Sequence, residues 1–177
     1  MRKVVLYIAM SLDGYIADKE GGTGWLGGQE PDCDDMVSYA EFIETVDTIL
    51  MGYTTYHQVA TQLSPDSWPY SGKKSYVLTH RQLPSSEEIV FTHRGVGELI
   101  AQLKAEPGKD IWICGGADIA NQLIALDLID EYCISVIPTI LGDGIRLFAK
   151  QAGEQKLRLV STRSYNGITD LVYQRRL

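Results

Sequence analysis

One segment of the chain joins a continuous apolar run to two glycines and then to a helix-forming run: Ile111-Trp112-Ile113-Cys114-Gly115-Gly116-Ala117-Asp118-Ile119. The apolar run predicts a buried strand, and Ala117 to Leu126 predicts a helix. At the carboxyl edge of a parallel sheet, such a junction presents free N–H groups and the positive end of a helix, which suits a pyrophosphate. A tight strand-to-helix turn explains the glycines equally well, because the full G-x-G-x-x-G pattern is absent.

Two further segments repeat this form. In Thr48-Ile49-Leu50-Met51-Gly52-Tyr53-Thr54-Thr55, a predicted strand ends in glycine and a helix begins with two threonine hydroxyls. In Leu78-Thr79-His80-Arg81, a hydroxyl and a cation follow a third strand. Repeated strand-glycine-helix junctions at one sheet edge favour phosphate binding over a simple turn. Arg81 is then either a ligand of a 2′-phosphate, which would favour NADP over NAD, or an ordinary exposed arginine.

The remaining pattern alternates strands with helices and ends in strands. Val4 to Met10 predicts a strand buried on both faces, and Asp34 to Val46 predicts an amphipathic helix capped by Asp32 or Asp34. Asn166-Gly167 between two extended runs predicts a C-terminal antiparallel hairpin. We therefore expect an α/β fold with a mixed, mostly parallel sheet of about eight strands, covered by helices on both faces.

Composition excludes several classes of protein. The chain has 177 residues, which predicts one domain over 1–177, and its formal net charge of −7 disfavours a nucleic-acid partner. No apolar run is long enough to span a membrane. Three widely spaced cysteines indicate a reduced, cytoplasmic protein, and the histidine spacing predicts no metal site.

Five ordered segments carry a family resemblance. They are Ala9-Met10-Ser11-Leu12-Asp13-Gly14-Tyr15-Ile16-Ala17, Met51-Gly52-Tyr53-Thr54-Thr55-Tyr56, Tyr76-Val77-Leu78-Thr79, Ile113-Cys114-Gly115-Gly116-Ala117-Asp118-Ile119 and Pro138-Thr139-Ile140-Leu141-Gly142-Asp143-Gly144-Ile145-Arg146-Leu147-Phe148. The set resembles the dihydrofolate reductase fold family, and the fifth segment resembles in particular its branch similar to the reductase domain of riboflavin biosynthesis. The resemblance spans nearly the whole chain and implies a three-layer α/β/α architecture.

The resemblance also implies a cofactor, NADPH, lying across the sheet edge. Its cofactor-binding residues would be Ala9, Gly14, Ile16, Gly52, Tyr53, Thr54, Thr55, Thr79, His80, Arg81, Gly115, Gly116, Ala117, Asp118 and Ile119. The Gly-rich loop from Asp13 to Glu30, which contains Trp25, would correspond to a mobile lid that excludes water from hydride transfer.

The substrate side departs from the family. Dihydrofolate reductases carry an arginine where this chain has Tyr53, and pairing Phe42 with the aromatic residue of the substrate helix places Ser38 where they carry a carboxylate. A serine cannot pair as an anion with a protonated pterin edge, so dihydrofolate is not carried over as the substrate. Candidate catalytic carboxylates are Asp13, which also fits a turn, and Asp35. Candidate substrate residues are Trp25, Ser38, Tyr39 and Tyr56.

Two functions remain open. The first is an NADPH-dependent reductase that transfers hydride to a small pterin-like or pyrimidine-like heterocycle or a related conjugated acceptor, similar to 5-amino-6-(5-phosphoribosylamino)uracil reductase. The second is a nucleotide-binding, non-catalytic protein that keeps the fold without the substrate acid. The expected partner is a small-molecule substrate, and the resemblance implies a homodimer.

Overall fold

A computed structural model describes residues 1–150 and 153–176. Strands dominate this part of the chain, and the strand predicted over Val4 to Met10 is confirmed to within one residue. The strands are β1 (Val4–Ser11), β2 (Tyr15–Ala17), β3 (Val46–Gly52), β4 (Lys74–Leu78), β5 (Ile89–Thr92), β6 (Asp110–Gly115), β7 (Glu131–Ile137), β8 (Ile145–Arg146), β9 (Leu157–Tyr165) and β10 (Ile168–Arg175).

The helices are short and lie between the parallel strands. They are α1 (Val37–Ile43), α2 (Tyr53–Gln58), which continues as a π-helical turn over Val59–Leu63, α3 (Val96–Ala105) and α4 (Ala117–Ala125). The prediction for α1 is wrong at both ends. At the start, Asp34 accepts a hydrogen bond from the Met36 N–H at 2.8 Å in a local turn and does not cap the helix. At the end, the Thr45 N–H donates to the Phe42 carbonyl, and this turn ends the helix before Val46.

Eight strands form one sheet in the order β5-β4-β3-β6-β1-β7-β10-β9. The pairs from β5 to β7 are all parallel, and β10 runs antiparallel to both of its neighbours. The expected mixed, mostly parallel sheet with a C-terminal hairpin is therefore confirmed. Asn166 and Gly167 form the hairpin turn with φ of 47° and 77°, the left-handed values that this dipeptide tolerates well.

Apolar side chains cover both faces of the sheet. On one face, α3 and α4 bury Leu99, Leu103 and Leu123 against β1, β3 and β6. On the other face, α1 and α2 bring aromatic side chains onto a smaller cluster that includes Met51 and Trp112. These two apolar layers establish the three-layer α/β/α architecture and leave the carboxyl ends of β4, β3, β6 and β1 at one edge.

A second sheet pairs β2 with β8 and is absent from the sequence-based prediction. Its strands have three and two residues, too few for an alternating pattern to be recognised. Across residues 1–150 and 153–176, no helix has the length and apolar character needed to cross a membrane.

Candidate active site at the carboxyl edge of the sheet

The first two predicted phosphate junctions pack against each other. β3 lies beside β6, with Met51 opposite Gly115. Thr55, in the first turn of α2, faces the glycine pair: a Cβ placed on Gly116 would lie 3.4 Å from the Thr55 hydroxyl oxygen. Helix α4 begins at Ala117 with no side-chain cap, so its first N–H groups stay available beside that hydroxyl. Amides and a hydroxyl thus converge at one point, as an anion requires.

The third junction supplies a cation to the same edge. The Arg81 guanidinium lies over the Tyr53 ring, 4.6 Å from its centroid, and Tyr53 is the first residue of α2. Among the described residues, no carboxylate lies within ion-pair distance of Arg81. A groove of about 680 Å³, lined by Thr79, His80 and Arg81 among others, opens beside it. Arg81 therefore brings a positive charge to the place where the tyrosine replaces the family's arginine.

Asp13 binds a neighbouring loop. Its carboxylate accepts hydrogen bonds from the Ser11 hydroxyl at 2.6 Å and from the amides of Leu141 at 3.1 Å and Gly142 at 2.7 Å. The hydrogen bond from Ser11, together with these amides, lowers the pKa of Asp13 to about 2. This geometry favours the turn role over proton donation. Gly14 next to it has φ of 90° and accepts a hydrogen bond from the Leu147 N–H.

The far end of the Gly-rich loop is tied to the C-terminal hairpin. Asp35 accepts hydrogen bonds from the Gly28 amide at 2.8 Å and from the Asn166 side-chain amide at 2.7 Å. Asn166 also accepts from Glu30, and the Trp25 indole donates to the Gly22 carbonyl inside the loop. The structure thus gives Asp35 an anchoring position and places Trp25 in the loop, half-buried.

Ser38 lines a cavity of about 300 Å³ between α1 and the sheet. The cavity floor carries Tyr7, whose ring stacks on Phe42 with 4.2 Å between centroids. Tyr39 packs beside the cavity, against Tyr7 and Trp112. Tyr56 is separate from it, since its ring contacts the aromatic cluster around Trp68 and Phe91.

The cavity lies on the face of the sheet that carries Ala9. Side chains alternate along a strand, so Tyr7 and Ala9 of β1 point to the same face. Ala9 pairs in register with Ser135 of β7, and Ser135 pairs with Asp170 of β10. Sequence analysis missed Ser135 and Asp170. An acidic residue inside the second extended run of the predicted hairpin was the available signal, because aspartate is depleted in strands.

The site's cysteine is not activated. Burial raises the pKa of the Cys114 thiol to about 12, and its sulfur lies 3.8 Å from the Tyr70 hydroxyl oxygen. Burial, with the nearby charge of Asp170, also raises the pKa of Tyr7 well above its usual value. Both groups are therefore neutral at physiological pH.

Comparisons with known proteins agree with this fold. The family model described as the RibD C-terminal domain matches residues 2–173. The chain is 43% identical over 177 residues to the uncharacterized protein YwjB of Bacillus subtilis (strain 168), covering 98% of each chain.

Two solved structures share the fold. A protein named for riboflavin biosynthesis from Shewanella sp. PV-4 superposes with a TM-score of 0.85 at 30% identity, covering 99% of each chain. A diaminohydroxyphosphoribosylaminopyrimidine deaminase/5-amino-6-(5-phosphoribosylamino)uracil reductase from Thermotoga maritima superposes with a TM-score of 0.72 at 16% identity, covering 99% of this chain and 57% of that one. The chain thus belongs to the RibD C-terminal domain family and has its dihydrofolate reductase-like fold.

Proposed function

We propose that the protein is an NADPH-dependent reductase that transfers a hydride to a small heterocyclic or related conjugated acceptor. The observation that carries the proposal is the convergence of Gly116, Thr55 and Arg81 at one sheet edge, beside a cavity that opens on the face of Ala9. Membership in a reductase-like family supports it.

The residues present fit a nicotinamide dinucleotide phosphate. The first N–H groups of α4 and the Thr55 hydroxyl would hold its pyrophosphate, and Arg81 with His80 would meet its 2′-phosphate. The glycine pair leaves room for this approach, since Cβ atoms built there meet only Thr55 and Ile8. When bound, the cofactor supplies the hydride.

The chain's own residues would orient the reactants and exclude water. Ala9 offers a small side chain next to Ser135, so a flat ring can rest there on the sheet. The part of the Gly-rich loop that contains Trp25 follows β2 directly in the chain. The hydrogen bond from the Gln29 amide of this loop to the Asn166 carbonyl would limit how far the loop opens. A dry, preformed site strengthens the electrostatic contacts that position the acceptor.

NADPH titration followed by turnover tests the proposal. Purified protein should bind NADPH in the micromolar range and then oxidise it with at least one member of a panel of pterins, pyrimidines and quinones, followed through the near-ultraviolet absorbance of NADPH. Lack of NADPH binding at millimolar concentration would refute the assignment.

A second candidate is a nucleotide-binding protein without catalytic activity. Ser38, at the position of the family's carboxylate, favours it. Tight NADPH binding with no oxidation by any panel member would select this candidate over the reductase.

The homodimer implied by the resemblance remains a proposal. It is supported by β9, an outer strand of the sheet on which Leu159 and Val160 are half-exposed. Light scattering coupled to size-exclusion chromatography should give twice the mass of 19.7 kDa, and a mass of one chain at micromolar concentration would contradict it.

A further inference from the structure

The cavity beside Ser38 contains a carboxylate that faces it from the sheet. Ser135 of β7, Asp170 of β10 and Arg163 of β9 are successive partners in register across the strands. All three line the cavity, and α1 covers it with Ser38 and Phe42. Asp170 on the sheet therefore lies across the cavity from Ser38, the helix position where dihydrofolate reductases carry a carboxylate.

Asp170 is half-buried and only partly satisfied. Its Oδ1 accepts hydrogen bonds from the Ser135 hydroxyl at 2.6 Å and from the Tyr165 hydroxyl at 3.2 Å. Within residues 1–150 and 153–176, its Oδ2 accepts no hydrogen bond and no lysine or arginine lies within ion-pair distance. This oxygen is therefore available to the N–H donors of a ligand.

The arginine best placed to neutralise Asp170 is engaged elsewhere. Arg163 stands opposite Asp170 in the β9–β10 register, yet its guanidinium bonds to Glu41 of α1 at 2.7 Å. This ion pair joins the helix to the edge strand at the rim of the cavity. Arg163 is therefore not an ion-pair partner of Asp170.

A second polar group in the cavity lacks a partner. The Ser38 hydroxyl is buried and makes no hydrogen bond among the described residues. It lies near Tyr165, whose pKa is raised mainly by burial, whereas the Ser38 hydroxyl acts in the opposite sense and lowers that pKa. A free carboxylate oxygen and an unsatisfied hydroxyl therefore share one cavity, which indicates a polar ligand rather than an apolar one.

We propose that Asp170 is the substrate-anchoring carboxylate of this protein, and that the cavity takes a planar nitrogen heterocycle that presents an amino group next to a ring N–H. One N–H of such an edge would bond to the free Oδ2, and the other would bond to Oδ1 in place of the Tyr165 hydroxyl, which is the longer of the two present contacts at 3.2 Å. The Ser38 hydroxyl bonds to a further heteroatom of the ring. This inference rests on the proposed function, because the ligand of the cavity is a substrate only if the protein is a reductase.

The register places the anchor at a useful distance from Ala9. Asp170 is two strands away from Ala9 with Ser135 between them, which is about 10 Å across the sheet at about 4.8 Å per strand. A fused two-ring heterocycle held by Asp170 would extend along this row toward the edge where the nicotinamide is proposed.

The first experiment uses the wild-type protein without cofactor. Isothermal titration compares 2,4-diaminopteridine, whose amino group adjoins a ring nitrogen that becomes an N–H donor when it is protonated on pairing with a carboxylate, with lumazine, which has carbonyl oxygens in place of both amino groups. We expect the diamino probe to bind at least about tenfold more tightly, because lumazine would bring an acceptor oxygen to the carboxylate. Equal affinities, a preference for lumazine, or no binding of either probe overturns the proposal.

The second experiment uses Asp170→Asn, with Asp66→Asn as the matched control because Asp66 is an exposed loop carboxylate. Asp170→Asn should weaken the diamino probe at least about tenfold and leave the Kd for NADPH unchanged, whereas Asp66→Asn should change neither. An unchanged affinity for the probe in Asp170→Asn contradicts the assignment, even if NADPH binds. Absence of NADPH binding in the wild type refutes the proposed reductase separately. If Asp170→Asn does not fold, the wild-type selectivity decides.

Discussion

Replacing Arg81 by glutamine should selectively weaken binding of the phosphorylated cofactor. The substitution removes a guanidinium that lies over Tyr53 at 4.6 Å, has no carboxylate partner among the described residues, and borders the groove of about 680 Å³. Glutamine keeps most of the length and can still donate one hydrogen bond, but it has no charge.

The expected magnitude follows from the exposure of this side chain. A hydrogen bond to a charged group contributes about 1.5–3 kcal/mol, and Arg81 is exposed, so solvent screening favours the lower end. About 1.4 kcal/mol corresponds to a factor of about ten in the dissociation constant. We therefore expect the Kd for NADPH to rise about tenfold and the Kd for NADH, which lacks the 2′-phosphate, to stay the same.

Isothermal titration of both cofactors into wild type and variant measures this effect. Arg94→Gln is the matched control, because Arg94 is also exposed but its side chain bonds to Gln102. Equal losses for NADPH and NADH would refute the reasoning, since the arginine would then act through the adenosine or the fold. So would an Arg94 variant that behaves like the Arg81 variant.

Three further predictions concern stability. Arg2→Met should lower the free energy of unfolding by about 3 kcal/mol, because the buried guanidinium bonds to Asp47 and to backbone carbonyls. Urea unfolding measures this change, and a loss below about 1 kcal/mol contradicts the prediction. Gly144→Ala should cost about 1–3 kcal/mol in thermal unfolding, because φ is 147° and a Cβ would lie 2.1 Å from the Ala17 carbonyl oxygen; an unchanged Tm contradicts it. Asp13 has a folded-state pKa of about 2, lowered from 3.8, so its loop contact is present above pH 4 and is lost as the pH falls from about 4 to 2. The protection factors of the bonded Leu141 and Gly142 amides, which compare exchange with the intrinsic rate at each pH, should fall over that range, and Asp13→Asn should lower them already at neutral pH; identical protection factors in both proteins rule the contact out.

Sequence reasoning succeeded where local patterns dominate. Continuous apolar runs gave the parallel strands, and Asn166-Gly167 gave the hairpin, because turn chemistry and burial on both faces are encoded by neighbouring residues. The limits of α1 were wrong because the Asp34 side chain satisfies a turn amide and no helix end. A local pattern cannot decide between those two partners.

The site was only partly predictable, for a different reason. The glycine junctions at Gly52 and Gly115 were visible because each is a contiguous motif. The cavity carboxylate Asp170 was not, since it meets Ser135 and Ser38 only after four strands and a helix have assembled. The attachment of Asp35 to Asn166 likewise joins positions 131 residues apart. Such long-range pairs carry no periodic signal.

A crystal structure of the protein with bound NADP⁺ tests the central claim most directly. We expect pyrophosphate oxygens within hydrogen-bond distance of the first amides of α4 and of the Thr55 hydroxyl, and the nicotinamide beside Ala9, facing the cavity that Asp170 lines. A cofactor bound elsewhere on the chain, or an edge that stays free of NADP⁺ at millimolar concentration, would contradict the account.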